Sequence, residues 1–303
     1  MTALSDIYVP LHRIIPFSNV EGLGNRTSIF LQGCKLNCLY CHNPETIPRY
    51  AEGAHQVSLQ YLYEQVMDAV PFIRGVTVSG GEPTIHHKKL VPLFQKLREE
   101  GLTCYLDSSG FFEFEAIRPL IDVTDKFLFD LKGEGLGLQS LCFDRQNRQG
   151  IVPQNIIPAH QHIKQENLDR NLKNLAQLLP LNKVEEVRLV YVANFFDAEK
   201  LVEKVASLLK DYPDVLFKII RMHTKGARDA EGLTPYVPTV EQTQALENYA
   251  KSCGLTKIVT ILYANISKSS KNIPTFYRKT SRIGQFYSLT YLTNLGEKNG
   301  YFR

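Results

Sequence analysis

Short apolar runs that end in polar or glycine residues, separated by helical stretches, recur along most of this 303-residue chain. The runs are TSIFLQ at 27–32, IRGVTVSG at 73–80, LTCYLDSSG at 102–110, KFLFDLKG at 126–133, EVRLVYV at 186–192, VLFKIIRMH at 215–223 and TKIVTILYA at 256–264. Helices are expected at 59–70 behind a Ser58 cap, and at 88–101, 114–121, 164–179, 197–210 and 239–252. Strands alternating with helices argue parallel βα units and an α/β fold. Seven strands are one short of the complete eight-stranded barrel, and a doubly wound sheet fits the periodicity equally well. The polar residues favour a partial barrel of (β/α)6 type. Ser79–Glu82, Asp107–Ser109, Asp130–Lys132, Arg188 and Arg221–His223 fall at or near strand ends, as expected where several strands serve one mouth. Residues 1–26 and 47–57 read as irregular, and 134–162 lacks periodicity. The expected organisation is one catalytic domain over 1–262 and a C-terminal extension over 263–303.

Composition narrows the compartment and the partners. With 44% hydrophobic and 22% charged residues, the chain is neither disordered nor fibrous. A net charge of +4, spread over both signs, makes no nucleic-acid-binding stripe. No run of 18 apolar residues predicts a membrane helix, and no segment has the layout of a signal peptide. The expected location is the cytoplasm. Of the six cysteines, Cys34, Cys38 and Cys41 are crowded in a C-x3-C-x2-C run, while Cys104, Cys142 and Cys253 are scattered. Cys104 and Cys253 read as small buried hydrophobes; Cys142 carries no assignment.

Thiolates are soft ligands for zinc or iron–sulfur. Structural zinc wants four protein ligands, and His42 is an awkward fourth beside Cys41. Three thiolates suit a 4Fe-4S cluster with one iron left open, and an open position is what metal chemistry needs.

The cysteine run, SGGEP at 79–83, DSSG at 107–110 and DLK at 130–132, taken in this order, resemble the radical S-adenosylmethionine enzymes. With SIFLQGCKLNCLYCHNPE and RIIPFSNVEGLGNR, the text most resembles the glycyl-radical-enzyme activating enzymes, the pyruvate formate-lyase activating enzyme among them, and within these the YjjW type. The eight-cysteine ferredoxin insert of that type is missing, since IPRYAEGAHQVSL at 47–59 holds no cysteine.

The resemblance implies that Cys34, Cys38 and Cys41 hold one 4Fe-4S cluster whose open iron binds S-adenosylmethionine. It implies that the backbone of Ser79, Gly80, Gly81 and Glu82 meets the amino group of that molecule, with the Glu82 carboxylate also suited to an ammonium. Asp107, Ser108, Asp130 and the Leu128 carbonyl are implied in a monovalent cation site for sodium or potassium. Arg188 is implied in contact with the carboxylate of S-adenosylmethionine, and His223 in contact with the same molecule; Lys132 contacts it or an arriving peptide, or neutralises the neighbouring carboxylates. No side chain is expected to act as a catalytic acid, base or nucleophile. The implied partners are a glycyl radical enzyme and a flavodoxin or ferredoxin reductant, with no nucleic acid and no membrane. Two other readings stand beside this one: a radical enzyme acting on a small molecule or nucleoside, and a non-catalytic metal-binding interaction module.

Overall fold

The computed structural model describes residues 3–49, 51, 54–143 and 168–262. The expectations for 144–162, for the first residues of the 164–179 helix and for 263–303 lie outside them.

All seven expected strands are present and lie side by side in sequence order. They are β2 (Arg26–Leu31), β4 (Gly75–Gly80), β5 (Thr103–Ser108), β6 (Lys126–Leu131), β7 (Val184–Tyr191), β8 (Leu216–Arg221) and β9 (Ile258–Ile261). Each pairs in parallel with the next. This order decides between the two architectures that periodicity left open. A doubly wound sheet reverses its strand order at a switch point, and here the order never reverses. Right-handed crossovers then put every helix on one face, and the sheet must curl around the other. The ends of the sheet are β3 (His55–Ser58) and β9, so the barrel is partial.

The alternation along each strand shows both faces. Val76, Val78, Cys104, Leu106, Phe127, Phe129, Val187, Leu189, Phe217 and Ile219 are fully buried. They pack under α1 (Leu59–Met67), α2 (His87–Glu99), α3 (Arg118–Val123), α5 (Arg170–Leu178), α6 (Ala198–Leu209) and α8 (Val240–Ser252). Two short helices, α4 (Gly135–Leu138) and α7 (Ala230–Leu233), lie outside these units. The intervening positions, Thr77, Ser79, Asp107, Asp130, Glu186, Arg188 and Lys218, share the concave face, and this lining is polar.

Helix starts follow local chemistry. The Ser58 hydroxyl accepts from the Tyr61 amide at 3.1 Å, and Thr239 and Gln242 form a capping box on α8. The 59–70 helix stops at Met67, three residues earlier than expected.

Residues 1–26 and 47–57 are more ordered than expected. Tyr8–Ser18 forms β1, antiparallel to β2, and His55–Ser58 forms β3 on its outer edge. Register shifts at Leu11/Arg13 and Ile15/Ser18 break the two-residue alternation that would have marked β1. Between β1 and β2, the 19–25 loop turns under the concave face. The Glu21 carbonyl accepts from the Thr77 hydroxyl at 2.6 Å, and buried Arg26 reaches Thr77, Val76 and Thr103 while stacking on Tyr105.

Candidate metal centre and active site

The three crowded cysteines follow β2 directly, in a loop held by three distant segments. The Gly33 and Cys34 amides donate to the Thr46 and Ile47 carbonyls at 2.7 and 2.9 Å. The Asn37 and Leu39 amides donate to the Cys142 and Leu141 carbonyls at 2.7 and 2.8 Å. The Arg228 and Asp229 amides donate to the Cys41 and Leu39 carbonyls at 3.0 and 2.9 Å. The Arg228 guanidinium adds bonds to the Cys38 and Asn37 carbonyls. The loop owes its shape to these ties rather than to regular structure of its own.

Cys38 is buried, and Cys34 and Cys41 are half-buried. Burial, with the neighbouring Cys38, pushes the Cys34 thiol far up and the Cys41 thiol up to about 11. Contact with Cys142, then burial, raises Cys38 as well. Thiolates in this loop therefore require compensating positive charge. Lys132 supplies some of it, and a bound iron–sulfur cluster would supply the rest. Among the described residues no three His, Cys, Asp or Glu side chains converge on a single ion. A cluster makes no such demand, because each thiolate binds a different iron. The donor set fits a cluster better than a lone zinc ion.

The Gly80–Gly81 pair packs tightly against neighbouring backbone. A Cβ on Gly80, whose φ is +108°, would lie 2.3 Å from the Leu31 N and O atoms, and one on Gly81 would lie 2.1 Å from the Gly33 carbonyl oxygen. The Gly81 and Glu82 amides donate to the Leu31 and Gly33 carbonyls, each at 2.8 Å. The glycines thus let the end of β4 lie against the start of the cysteine loop.

The Glu82 carboxylate is likewise committed within the protein. It is buried and accepts from the Ser108 and Thr84 hydroxyls at 2.8 and 2.7 Å, the Ser109 hydroxyl at 2.6 Å, and the Ser109 and Thr84 amides at 3.0 and 3.3 Å. A carboxylate so saturated is a tie between β4 and the end of β5. Both of its oxygens are engaged by these donors. The Ser108 hydroxyl faces Glu82, away from the concave side where Asp107 points.

Asp107, Asp130, Lys132 and Arg188 do come together. Register places Asp130 beside Arg188 and Asp107 beside Leu128. Arg188 lies 3.4 Å from Asp107 and 3.6 Å from Glu21, and is paired with Glu186, which also holds Lys218 at 2.6 Å. Ser79 donates to Asp107 at 2.9 Å, and Lys132 to Asp130 at 2.8 Å. Burial opposes the Arg188 charge, but Asp107, Glu186 and Glu21 outweigh it and hold its pKa well above the ordinary value. Burial also opposes the Lys132 charge, and Asp130 and Cys38 outweigh it. Burial lifts Asp107 to about 8, with Asp130 and Glu21 adding to the effect against Arg188. Lys132 lies 5.8 Å from the centre of the Tyr40 ring, which ties this group to the cysteine loop.

His223 follows β8 and is placed beside the cysteine loop, its ring 4.4 Å from that of His42. Burial, and then His42, lowers its pKa to about 4. Glu21, Cys142 and Arg228 had no assigned role in the sequence, and His42, weighed only as an awkward zinc ligand, instead packs on His223. Cys104 is buried, and Cys253 is half-buried.

A family model described as a 4Fe-4S single cluster domain matches residues 20–130. A Haemophilus influenzae protein named as a glycyl-radical enzyme activating enzyme is 76% identical over 262 residues, 86% of this chain and 100% of that protein. The pyruvate formate-lyase-activating enzyme of Staphylococcus aureus is 39% identical over 104 residues, 33% of this chain and 41% of that enzyme. Among solved structures, QueE from Escherichia coli matches with a TM-score of 0.49 at 14% identity, over 84% of this chain and 93% of that one. Sharing three residues in four with a relative matched over its whole length, the chain belongs to the glycyl-radical enzyme activating enzymes, a radical S-adenosylmethionine family built around an iron–sulfur cluster.

Proposed function

We propose that Cys34, Cys38 and Cys41 hold the cluster and that the concave face beside them seats S-adenosylmethionine. Family membership favours an activating enzyme over a small-molecule enzyme or a metal-binding module. When bound, the cluster and S-adenosylmethionine would supply reductive radical chemistry directed at a glycine of a partner glycyl radical enzyme, with Cys34, Cys38 and Cys41 as the residues that would hold the cluster.

The chain's own residues bind, orient and shield. Main-chain carbonyls of Ser79–Glu82 receive the amino group. Arg188, held charged among three carboxylates, offers a fixed cation to the carboxylate end. Lys132 offsets the cysteine thiolates and Asp130. His223, kept neutral by burial, packs with His42 at the rim of the loop. A sodium or potassium ion would find hard oxygen donors in Asp107, Asp130 and the Leu128 carbonyl. Burial, with Asp130 and Glu21 beside it, raises the pKa of Asp107 despite Arg188, and a bound cation would offset these effects. Ser108 contributes less than expected, its hydroxyl being given to Glu82.

The reading of 1–262 as one catalytic domain is supported by the compact unit Met1–Tyr263, with 263–303 as an extension. Among the described residues no helix is long and apolar enough to cross a membrane. A cytoplasmic location, with flavodoxin or ferredoxin as reductant, suits a thiolate-held cluster, which needs a reducing compartment.

The observation that carries the proposal is the lodging of the cysteine loop against Asp130, Lys132 and the SGGE stretch. Anaerobic reconstitution tests it. The expected result is about four iron and four sulfide per chain, with S-adenosylmethionine cleavage lost in Cys38→Ala and a glycyl radical EPR signal on a co-expressed partner. Zinc alone after anaerobic purification overturns it.

A further inference from the structure

One carboxylate fixes one edge of the Arg188 guanidinium. Glu186 and Arg188 stand two residues apart on β7, so both side chains reach the concave face. Register sets Arg188 beside Lys218 of β8. Glu186 is buried, and its two oxygens are divided between two cations on adjacent strands. Oε1 accepts from the Arg188 Nε–H, and Oε2 lies 2.6 Å from the Lys218 ammonium. Arg188 Nη1 faces Asp107 at 3.4 Å and Glu21 at 3.6 Å, both beyond the usual span of a hydrogen bond. Among the described residues the bond to Glu186 is the one hydrogen bond that Arg188 makes, and its Nη2 has neither hydrogen bond nor ion pair.

We propose that Glu186 is a positioning residue: by holding the Nε edge of Arg188, while itself held by Lys218, it keeps the Nη2 edge open for the carboxylate of S-adenosylmethionine. The proposal rests on the reading that Arg188 meets that carboxylate. A guanidinium is a rigid planar fork, so fixing its Nε–H fixes where Nη2 lies. Without that anchor the head is free to swing onto Asp107 and Glu21, which attract it by charge but are not yet bonded to it. Closing those gaps would spend its donors on the protein's own carboxylates. Lys218 has a part in this arrangement, because a buried carboxylate with one cation removed is left partly uncompensated.

The test measures S-adenosylmethionine binding by equilibrium dialysis to the anaerobically reconstituted, oxidised protein, where no electron is available and no cleavage occurs. Glu186→Ala is expected to weaken binding about tenfold, and Arg188→Ala at least as much, the worth of one charge-assisted hydrogen bond. Glu186→Gln, whose amide oxygen still accepts from Nε, is expected to stay within about threefold of wild type. Adding Glu186→Ala to Arg188→Ala is expected to change nothing further, since a positioning residue acts only through what it positions. Wild-type affinity in Glu186→Ala overturns the proposal. So does a further loss in the double variant, which would give Glu186 a contact of its own. An equal loss in Glu186→Gln also overturns it, because charge rather than placement would then matter. Should Glu186→Ala fail to take up iron, Glu186→Met, which fills the space without an acceptor, carries the same expectation; failure of both would assign Glu186 to the fold and overturn the proposal. Wild-type affinity in Arg188→Ala would instead overturn the reading beneath it.

Discussion

The Arg228 guanidinium donates to the Cys38 carbonyl at 3.1 Å across 190 residues of sequence. A second bond, at 2.8 Å, reaches the Asn37 carbonyl, and the Arg228 amide donates to Cys41. The segment after β8 therefore closes over the cysteine loop from the far side of the barrel. Charged hydrogen bonds contribute about 1.5–3 kcal/mol each, and more is lost when a partner is left buried and unpaired. Arg228→Ala is expected to destabilise the apoprotein by about 2–4 kcal/mol in urea unfolding. It should also lower the iron retained after desalting, with Arg228→Lys between the two. Wild-type iron retention in Arg228→Ala would show that the other two ties suffice.

Glu82 gathers five hydrogen bonds from Thr84, Ser108 and Ser109, so its removal should be felt first in the fold. Glu82→Gln keeps one acceptor oxygen and turns an amino group toward donors. An expected cost of about 2–4 kcal/mol follows from charged hydrogen bonds lost in a buried place. Urea unfolding of the apoprotein reads it without any cofactor. A variant as stable as wild type that binds S-adenosylmethionine weakly would instead assign the carboxylate to the ligand.

The seven parallel strands were legible because buried strands leave an apolar alternation between helices, and their order could then only be found by pairing. β1 was hidden because its two register shifts, together with Pro10 and Pro16, erase that alternation. The three crowded cysteines were legible as a group from spacing, being neighbours in one loop. Cys142 and Arg228 were not: the first sits in a segment without periodicity, the second in a loop after β8, and only tertiary pairing brings each to Cys38. The ties of Glu82 to hydroxyls at the end of β5 were not legible, since only strand pairing brings those residues to its oxygens. The proximity of Asp107, Asp130 and Arg188 was legible because strand ends on one concave face must meet.

Gly80 and Gly101 both have positive φ, +108° and +79°, but only Gly80 has backbone where a Cβ would go. Gly101→Ala meets nothing within 4 Å and is expected to cost about 1 kcal/mol, the strain of a left-handed residue alone. Gly80→Ala adds a 2.3 Å collision with the Leu31 backbone and is expected to lose at least about 3 kcal/mol. Side-by-side thermal melts of the two apoproteins separate these cases. Equal melting temperatures would mean that the β4 end can move away from β2 without penalty.

Acid should destabilise the apoprotein through its half-buried histidines. Burial lowers the pKa of His86, whose Nε2 lies 2.9 Å from the Gln32 carbonyl, and lowers that of His223 to about 4. In the unfolded chain both titrate near the ordinary value of about 6.5. Above that pH both states hold neutral imidazoles, and the contribution is constant. As pH falls below it the unfolded chain takes up protons that the folded one refuses, so stability declines through the window from about 6.5 down toward about 4. His86→Gln can give the same hydrogen bond without titrating. Unfolding free energy measured from pH 7.5 to 5 should fall in wild type and fall less steeply in His86→Gln. A variant with the wild-type slope would remove His86 as a source of acid sensitivity.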